Sequence, residues 1–181
     1  QDQKEMTAYH ESGHAIVGMS LPKCDPVYKA TIIPRGGALG MVMSLPEMDR
    51  LNWHRDQCEQ RIAMTMAGKA AEIIKWGEDS VSNGPSGDIQ QASALARAMV
   101  LRWGMSEKLG PISFVAPQDD GLPPAFQRQP YSEATAELID AEVRRIIDER
   151  QAEAIRLLAA HRDQLVALAS ALLKAEALDG R

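Results

Sequence analysis

A mainly α-helical domain, with one small β-sheet near its front and a helical hairpin at its end, is what the residue pattern of this chain specifies. Three features carry that expectation. Apolar residues recur at three- and four-residue steps over most of the 181 residues, as they do along one face of a helix. A single stretch, 27–45, divides into two extended runs around a glycine-containing turn. Polar caps and glycine stops bracket the periodic segments.

Residues Lys4 to Leu21 read as the first helix, with Met6, His10, Gly13, His14, Val17 and Leu21 at helical steps. Val27 to Ile33 is extended and rich in β-branched side chains. "PRGGA" follows at 34–38, and then Leu39, Met41, Met43 and Leu45 alternate with Gly40, Val42 and Ser44. Two extended runs separated by five residues that include glycine predict a hairpin over about 27–45. Asn52 is placed to cap a helix that runs to about Trp76 and stops at Gly77. "SVSNGPSG" at 80–87 is a loop by composition. Asp88 to Trp103 is helical again, with Ile89, Ala92, Leu95, Ala96 and Met99 on one side. The proline-rich "APQDDGLPPAFQRQP" at 116–130 is expected to be exposed and mobile. Ser132 caps a long helix to about Ala160, and a second helix from about Asp163 to Ala175 is expected to fold back on it, giving a hairpin over 132–175. No internal repeat is visible.

Composition narrows the function classes. Hydrophobic residues make up 45 % of the chain, enough for a real core, and the formal net charge is −5 with the two signs interspersed. Nucleic acid is therefore not an expected partner, because phosphate neutralisation needs a basic patch. Cys24 and Cys58 match no zinc spacing and are too few for a disulfide framework, which favours a reducing compartment. No apolar run reaches the roughly 18 residues of a membrane span. The chain starts at Gln1 with no initiator methionine, so it is expected to be part of something longer.

The chemistry concentrates at "AYHESGHAIVG", residues 8–18. On a helix, His10 and His14 share one face with Cβ atoms roughly 6 Å apart, so both imidazoles can reach one tetrahedral zinc. Glu11 lies one step round. It is off the two-histidine face but able to reach a water held by the metal, whose pKa zinc lowers to about 7. Chance occurrence of HExxH in a chain of this composition is below about 1 %. Gly13, between the histidines, costs about 1 kcal/mol relative to alanine in a helix and implies room made for a close neighbour.

Two histidines leave the site one protein ligand short. The extended pattern HExxHxxGxxH would need glycine at 17 and histidine at 20, where the chain has Val17 and Ser20. Glu47, the first glutamate after Glu11, sits beside Pro46 and makes a poor helical ligand. His54 and His161 stand alone at expected helix starts and read as solvated. Asp88 follows a glycine-rich loop and opens an apolar helix. With Gln91 three residues on, it serves equally well as a helix cap. The residues by themselves leave ligand and cap both open.

Five stretches together resemble a known family: "AYHESGHAIVG" (8–18), "IIPRGGALGMVMSLPEMDR" (32–50), "AGKAAEIIKWG" (67–77), "GDIQQASALARAMVLRWGMSEKLGP" (87–111) and a weaker "ALDG" (177–180). In this order, and over nearly the whole chain, they are similar to the peptidase domain of the FtsH-type ATP-dependent zinc metalloproteases. The resemblance implies a zinc metallopeptidase domain over 1–181. It carries His10, His14 and Asp88 over as ligands of one Zn²⁺ per chain and Glu11 as catalytic base. It implies hydrolysis of peptide bonds in unfolded or membrane proteins, with ATP used by a domain outside this chain, since no GxxxxGK[ST] is present. It implies a homo-hexamer anchored in a membrane through missing segments, with this soluble part on the cytoplasmic side in bacteria or inside an organelle. The chain departs from the family at "SVSNGPSGD", at Lys69 in place of a usual arginine, and over 116–130.

A protease that accepts many sequences gains from main-chain pairing, so the strand Leu39 to Leu45, through Gly40 and Val42, is a candidate for binding substrate as an added strand. Alternation puts Leu39, Met41, Met43 and Leu45 on one face, expected inward, with Gly40, Val42 and Ser44 on the other; the plain alternative is an ordinary hairpin strand that serves only the core. Two other functions compete with the endopeptidase: a thermolysin-like aminopeptidase with a different third ligand, and a non-catalytic helical module for hexamer assembly.

Overall fold

The computed structural model describes residues 2–45, 52–115 and 129–180. Among the described residues there are five helices and one three-stranded antiparallel sheet: α1 (Asp2–Ser20), β1 (Val27–Thr31), β2 (Met41–Ser44), α2 (Arg55–Trp76), α3 (Ser86–Leu101), α4 (Glu133–Ala160), α5 (Arg162–Ala175) and β3 (Ala177–Asp179), with a 3₁₀ turn at Glu78–Ser80. The mainly helical expectation holds. Most of 116–130, and Glu47, lie outside the described residues.

α2 is the central helix because its two sides are differently built. Ala63, Ala67, Ala70 and Ala71 line one side and join Ala8, Tyr9, Ile16 and Val17 of α1, Ala30 and Ile32 of the sheet region, and Leu165, Ala169 and Leu172 of α5. Cys58, Ile62 and Met66 line the other side and join Ala92, Ala96, Met99 and Val100 of α3 with Ile139, Val143 and Ile146 of α4. The alanine side lets α1 come unusually close. A Cβ on Gly13 would stand 2.5 Å from the Ala67 carbonyl oxygen and 2.7 Å from Ala71 Cβ. The close neighbour implied by Gly13 is therefore α2 itself, and the contact sets the histidines of α1 flush against it.

The helix boundaries follow local chemistry. α2 begins after His54 rather than Asn52: the His54 N–H donates to Gln57 Oε1 at 3.4 Å, and its carbonyl accepts from Cys58 N at 3.0 Å. Ser132 caps α4 as expected, its hydroxyl accepting from Thr135 N at 3.2 Å. α4 and α5 meet at His161, whose Nδ1 lies 2.8 Å from the Leu157 carbonyl oxygen. The second arm rests on α1 more than on α4. Leu158, Leu165 and Leu172 are fully buried there, each contributing about 2 kcal/mol of apolar burial.

The sheet order is β2-β1-β3. β1 and β2 form the expected hairpin, with Thr31 opposite Met41 and Lys29 opposite Met43. β3 is an addition that three residues without alternation do not announce. Glu176 adopts a left-handed conformation (φ 61°) that turns the chain out of α5, and its carbonyl accepts from Ile32 N and Thr31 Oγ1, both at 2.9 Å. Gly180 N then donates to Tyr28 O at 2.7 Å.

The faces of β2 are reversed from expectation. Leu39, Met41, Met43 and Leu45 are exposed, while Gly40, Val42 and Ser44 take the more covered side. The reason is steric: α1 lies directly beneath the strand, and a Cβ at position 40 would stand 2.7–2.9 Å from side-chain atoms of Thr7 and Glu11. The larger side chains are left to the open face.

Candidate metal centre

Helical spacing puts His10 and His14 one turn apart on α1. Their rings meet edge to face with centroids 4.7 Å apart, and their Nε2 atoms lie 3.0 Å from each other. The first turn of α3 brings in the third group. Asp88 Oδ2 stands 3.0 Å from His10 Nε2 and 3.2 Å from His14 Nε2. Among the described residues this is the one cluster of histidine, cysteine and carboxylate groups able to hold a metal ion.

The far sides of both rings are also fixed. His10 Nδ1 lies 3.1 Å from Glu72 Oε1, and His14 Nδ1 lies 2.8 Å from the Met64 carbonyl oxygen. Oxygen acceptors at Nδ1 hold the ring hydrogen there and leave Nε2 as a lone-pair donor. Two such lone pairs and a carboxylate oxygen, this close together, repel unless a proton or a cation lies among them. Donors at 2.0–2.1 Å from a tetrahedral zinc are separated by about 3.3 Å, and the observed 3.0–3.2 Å is near that spacing. Two imidazoles and one carboxylate, with both rings backed by oxygen, fit zinc.

Protons perform the same neutralisation when no cation does. Burial works against charge on His10, yet its hydrogen bonds to Asp88 and Glu72 prevail and raise it to about 9. Burial likewise works against ionised Asp88, and the hydrogen bonds from His10 and His14 hold its carboxyl well below the usual carboxylate range. Glu72 is lowered against burial by His10 and Ser82.

Asp88 is not the helix cap. α3 begins at Ser86 with Pro85 in the capping position, which places Asp88 inside the first turn. The "PSG" preceding it starts the helix two residues early, because Pro85 holds φ at −71°. The carboxylate is thereby turned to the histidines, while still favoured by the positive helix terminus.

Glu11 opens into the same groove, a cavity of about 980 Å³ that also includes His10, His14, Asp88, Gly40 and Val42. It is 6 % exposed, and burial pushes its carboxyl above its ordinary range, the two histidines pulling the other way. His54 and His161 are not part of the cluster. Sequence alone does not single out Glu72 and Gly68. Glu72 is buried at 1 % exposure, with Oε1 toward His10 and Oε2 accepting from Ser82 N at 2.9 Å. Both oxygens are engaged, so it orients a ligand rather than being one. Gly68 leaves the space that His10 fills, since a Cβ there would overlap the His10 ring. A glycine inside an alanine-rich helix, followed four residues later by a glutamate, was the available signal.

The strand wall of the groove is an edge. Leu45 N donates to Pro26 O at 3.1 Å. Main-chain groups alternate sides along a strand, so Met43 and Met41 also face β1. The amides of Val42 and Ser44 then face the open side, where among the described residues no strand pairs with β2.

A family model described as Peptidase family M41 matches residues 1–181. The chain is 50 % identical over 184 residues to an "ATP-dependent zinc metalloprotease FtsH" of Rickettsia conorii, covering 100 % of this chain and 28 % of that protein. Relatives of the same name from Caulobacter vibrioides and Photobacterium profundum are 46 % and 44 % identical, each match covering 99 % of this chain and 29 % and 26 % of the relative. The chain thus spans under a third of the length of the curated relatives it matches.

Proposed function

The chain belongs to peptidase family M41, and from that premise we propose that it is a zinc-dependent endopeptidase domain. His10, His14 and Asp88 hold one zinc, and Glu11 is the base. The observation that carries the reading is the convergence of three donor atoms at 3.0–3.2 Å beside a buried glutamate that makes none of those contacts.

When bound, zinc supplies Lewis acidity toward a water and toward a carbonyl oxygen. Glu11 accepts the proton of the water as its oxygen adds to the peptide carbonyl carbon. It returns that proton to the amine nitrogen as the C–N bond breaks. Burial raises Glu11 toward the working pH, which is where general-base catalysis is most effective. Glu72 and the Met64 carbonyl keep the two rings in the tautomer that leaves Nε2 free to ligate. The open edge of β2 supports the reading that substrate adds as a strand, its main chain meeting the Val42 amide.

The substrates in this reading are unfolded or membrane polypeptides delivered by an ATPase elsewhere in a longer chain. The relatives are named ATP-dependent, and no GxxxxGK[ST] occurs in this sequence. Assembly as a hexamer and anchorage in a membrane through other segments belong to the same proposal. No described helix is long and apolar enough to cross a membrane.

The test is cleavage of casein by zinc-loaded protein. Glu11→Gln is expected to keep its zinc and lose about 10²- to 10⁴-fold in rate. A variant that loses its zinc would make Glu11 a ligand. A wild-type chain that holds no zinc and cuts nothing would leave the assembly-module reading.

A further inference from the structure

The chain passes close over α1 as it enters β2, and the residue there is Gly40, immediately before Met41. A Cβ built on Gly40 would stand 2.7 Å from Glu11 Cγ, 2.9 Å from Glu11 Oε1 and 2.8 Å from Thr7 Cγ2. Thr7 and Glu11 are one turn apart on α1, 9 % and 6 % exposed, and Thr7 is held in place by its hydroxyl bond to the Gln3 carbonyl at 2.9 Å. The backbone of Gly40 is not left-handed, so alanine would be conformationally acceptable there. What the glycine supplies is space. The neighbours that a methyl would strike are the side chain of the base and the threonine beside it.

We propose that Gly40 is a positioning residue for the base: its missing side chain lets β2 lie directly on Glu11 and hold that carboxylate toward the metal centre. This rests on the endopeptidase reading of the site and adds a role for the strand that is distinct from pairing with substrate. In the substrate-pairing role alone, a side chain at 40 would obstruct the incoming chain and raise KM. In the positioning role it displaces Glu11 and lowers kcat. The distinction matters because groups misplaced by about 1 Å can cost roughly 10²-fold in rate.

Two measurements on the whole chain test the proposal, one of which needs neither zinc nor activity. In metal-free protein, Gly40→Ala is expected to lower the thermal midpoint by about 4 °C or more, and to lower it less in a Glu11→Ala background, where the two Glu11 contacts are gone and only the one to Thr7 Cγ2 remains. Residues in contact couple in such a cycle and separate ones add. If Gly40→Ala does not fold while Glu11→Ala/Gly40→Ala does, the contact is equally supported. Equal losses in both backgrounds, or failure of both to fold, would overturn it. In zinc-loaded protein, Gly40→Ala should retain its metal and lose about 10²-fold in kcat with KM changed less than about twofold. A raised KM with kcat intact would assign Gly40 to substrate entry instead. A wild-type chain with no peptidase activity would overturn the endopeptidase reading while the stability cycle still decides the Glu11 contact.

Discussion

At the scale of single residues, the centre is a set of lone pairs with their backs secured. His10, Glu11 and His14 were legible because one helical turn is a fixed spacing and HExxH is rarely accidental. Asp88 was legible only in part. A carboxylate at a helix start has a cap role available in any sequence, and what excludes that role here is that α3 starts at Ser86. Glu72 was not singled out, since it lies on α2, 62 residues from its partner His10, and its one local mark is Gly68, four residues before it in an alanine-rich helix. Its role makes a direct prediction. Glu72→Gln keeps an oxygen acceptor for His10 but removes the charge, and outer-shell losses of this kind cost about 10- to 100-fold in metal affinity. Zinc competition titration of the variant should show that drop with one metal still bound per chain. Unchanged affinity would mean that the Met64 carbonyl and α1 alone orient the rings.

At the scale of elements, β2 shows why a strand can be located from sequence and its faces still be misassigned. Alternation of Leu39, Met41, Met43 and Leu45 with smaller residues identifies a strand, and burial of the larger set is the ordinary expectation. Here the helix that carries His10, Glu11 and His14 lies beneath the strand, and the backbone at Gly40 comes so near Glu11 that a Cβ there would crowd its side chain. The same strand leaves the Val42 amide on the open edge, which gives a second prediction. Val42→Pro removes that amide without breaking a β1 bond, a position where edge strands tolerate proline. The variant should fold, retain zinc, and lose peptide cleavage through a raised KM. Unchanged KM and kcat would remove the amide from substrate binding.

At the scale of the whole molecule, α2 ties two clusters together. The α3–α4 side also carries a buried ion pair. Glu142 is 2 % exposed, accepts from Ser106 Oγ and from Arg145 Nε at 2.9 Å, and the Arg145 hydrogen bonds, opposed by burial, hold its carboxyl below its ordinary 4.5. A depressed carboxylate stabilises the fold above its unfolded value and loses that contribution as pH falls through the folded one. Glu142→Gln should therefore be less stable than wild type at pH 7, by about 1–2 kcal/mol given that Arg145 is partly in water. The difference in urea midpoint should shrink as pH falls below about 4.5. A gap that stays constant with pH would contradict the assignment. The overall plan was legible because the helices are long and periodic. β3 was not, because three residues held by the Glu176 carbonyl and Gly180 make a strand only once the helix before them is docked.

The central claim, that α1 and α3 together build one zinc site, is tested most directly by zinc affinity of Asp88→Asn measured against a competing chelator. Because Pro85 rather than Asp88 occupies the cap of α3, the substitution leaves the helix start intact, and circular dichroism should match wild type. The predicted result is one zinc per wild-type chain and a loss in the variant of more than about 100-fold, beyond what an outer-shell change costs. Wild-type affinity in Asp88→Asn would contradict the account.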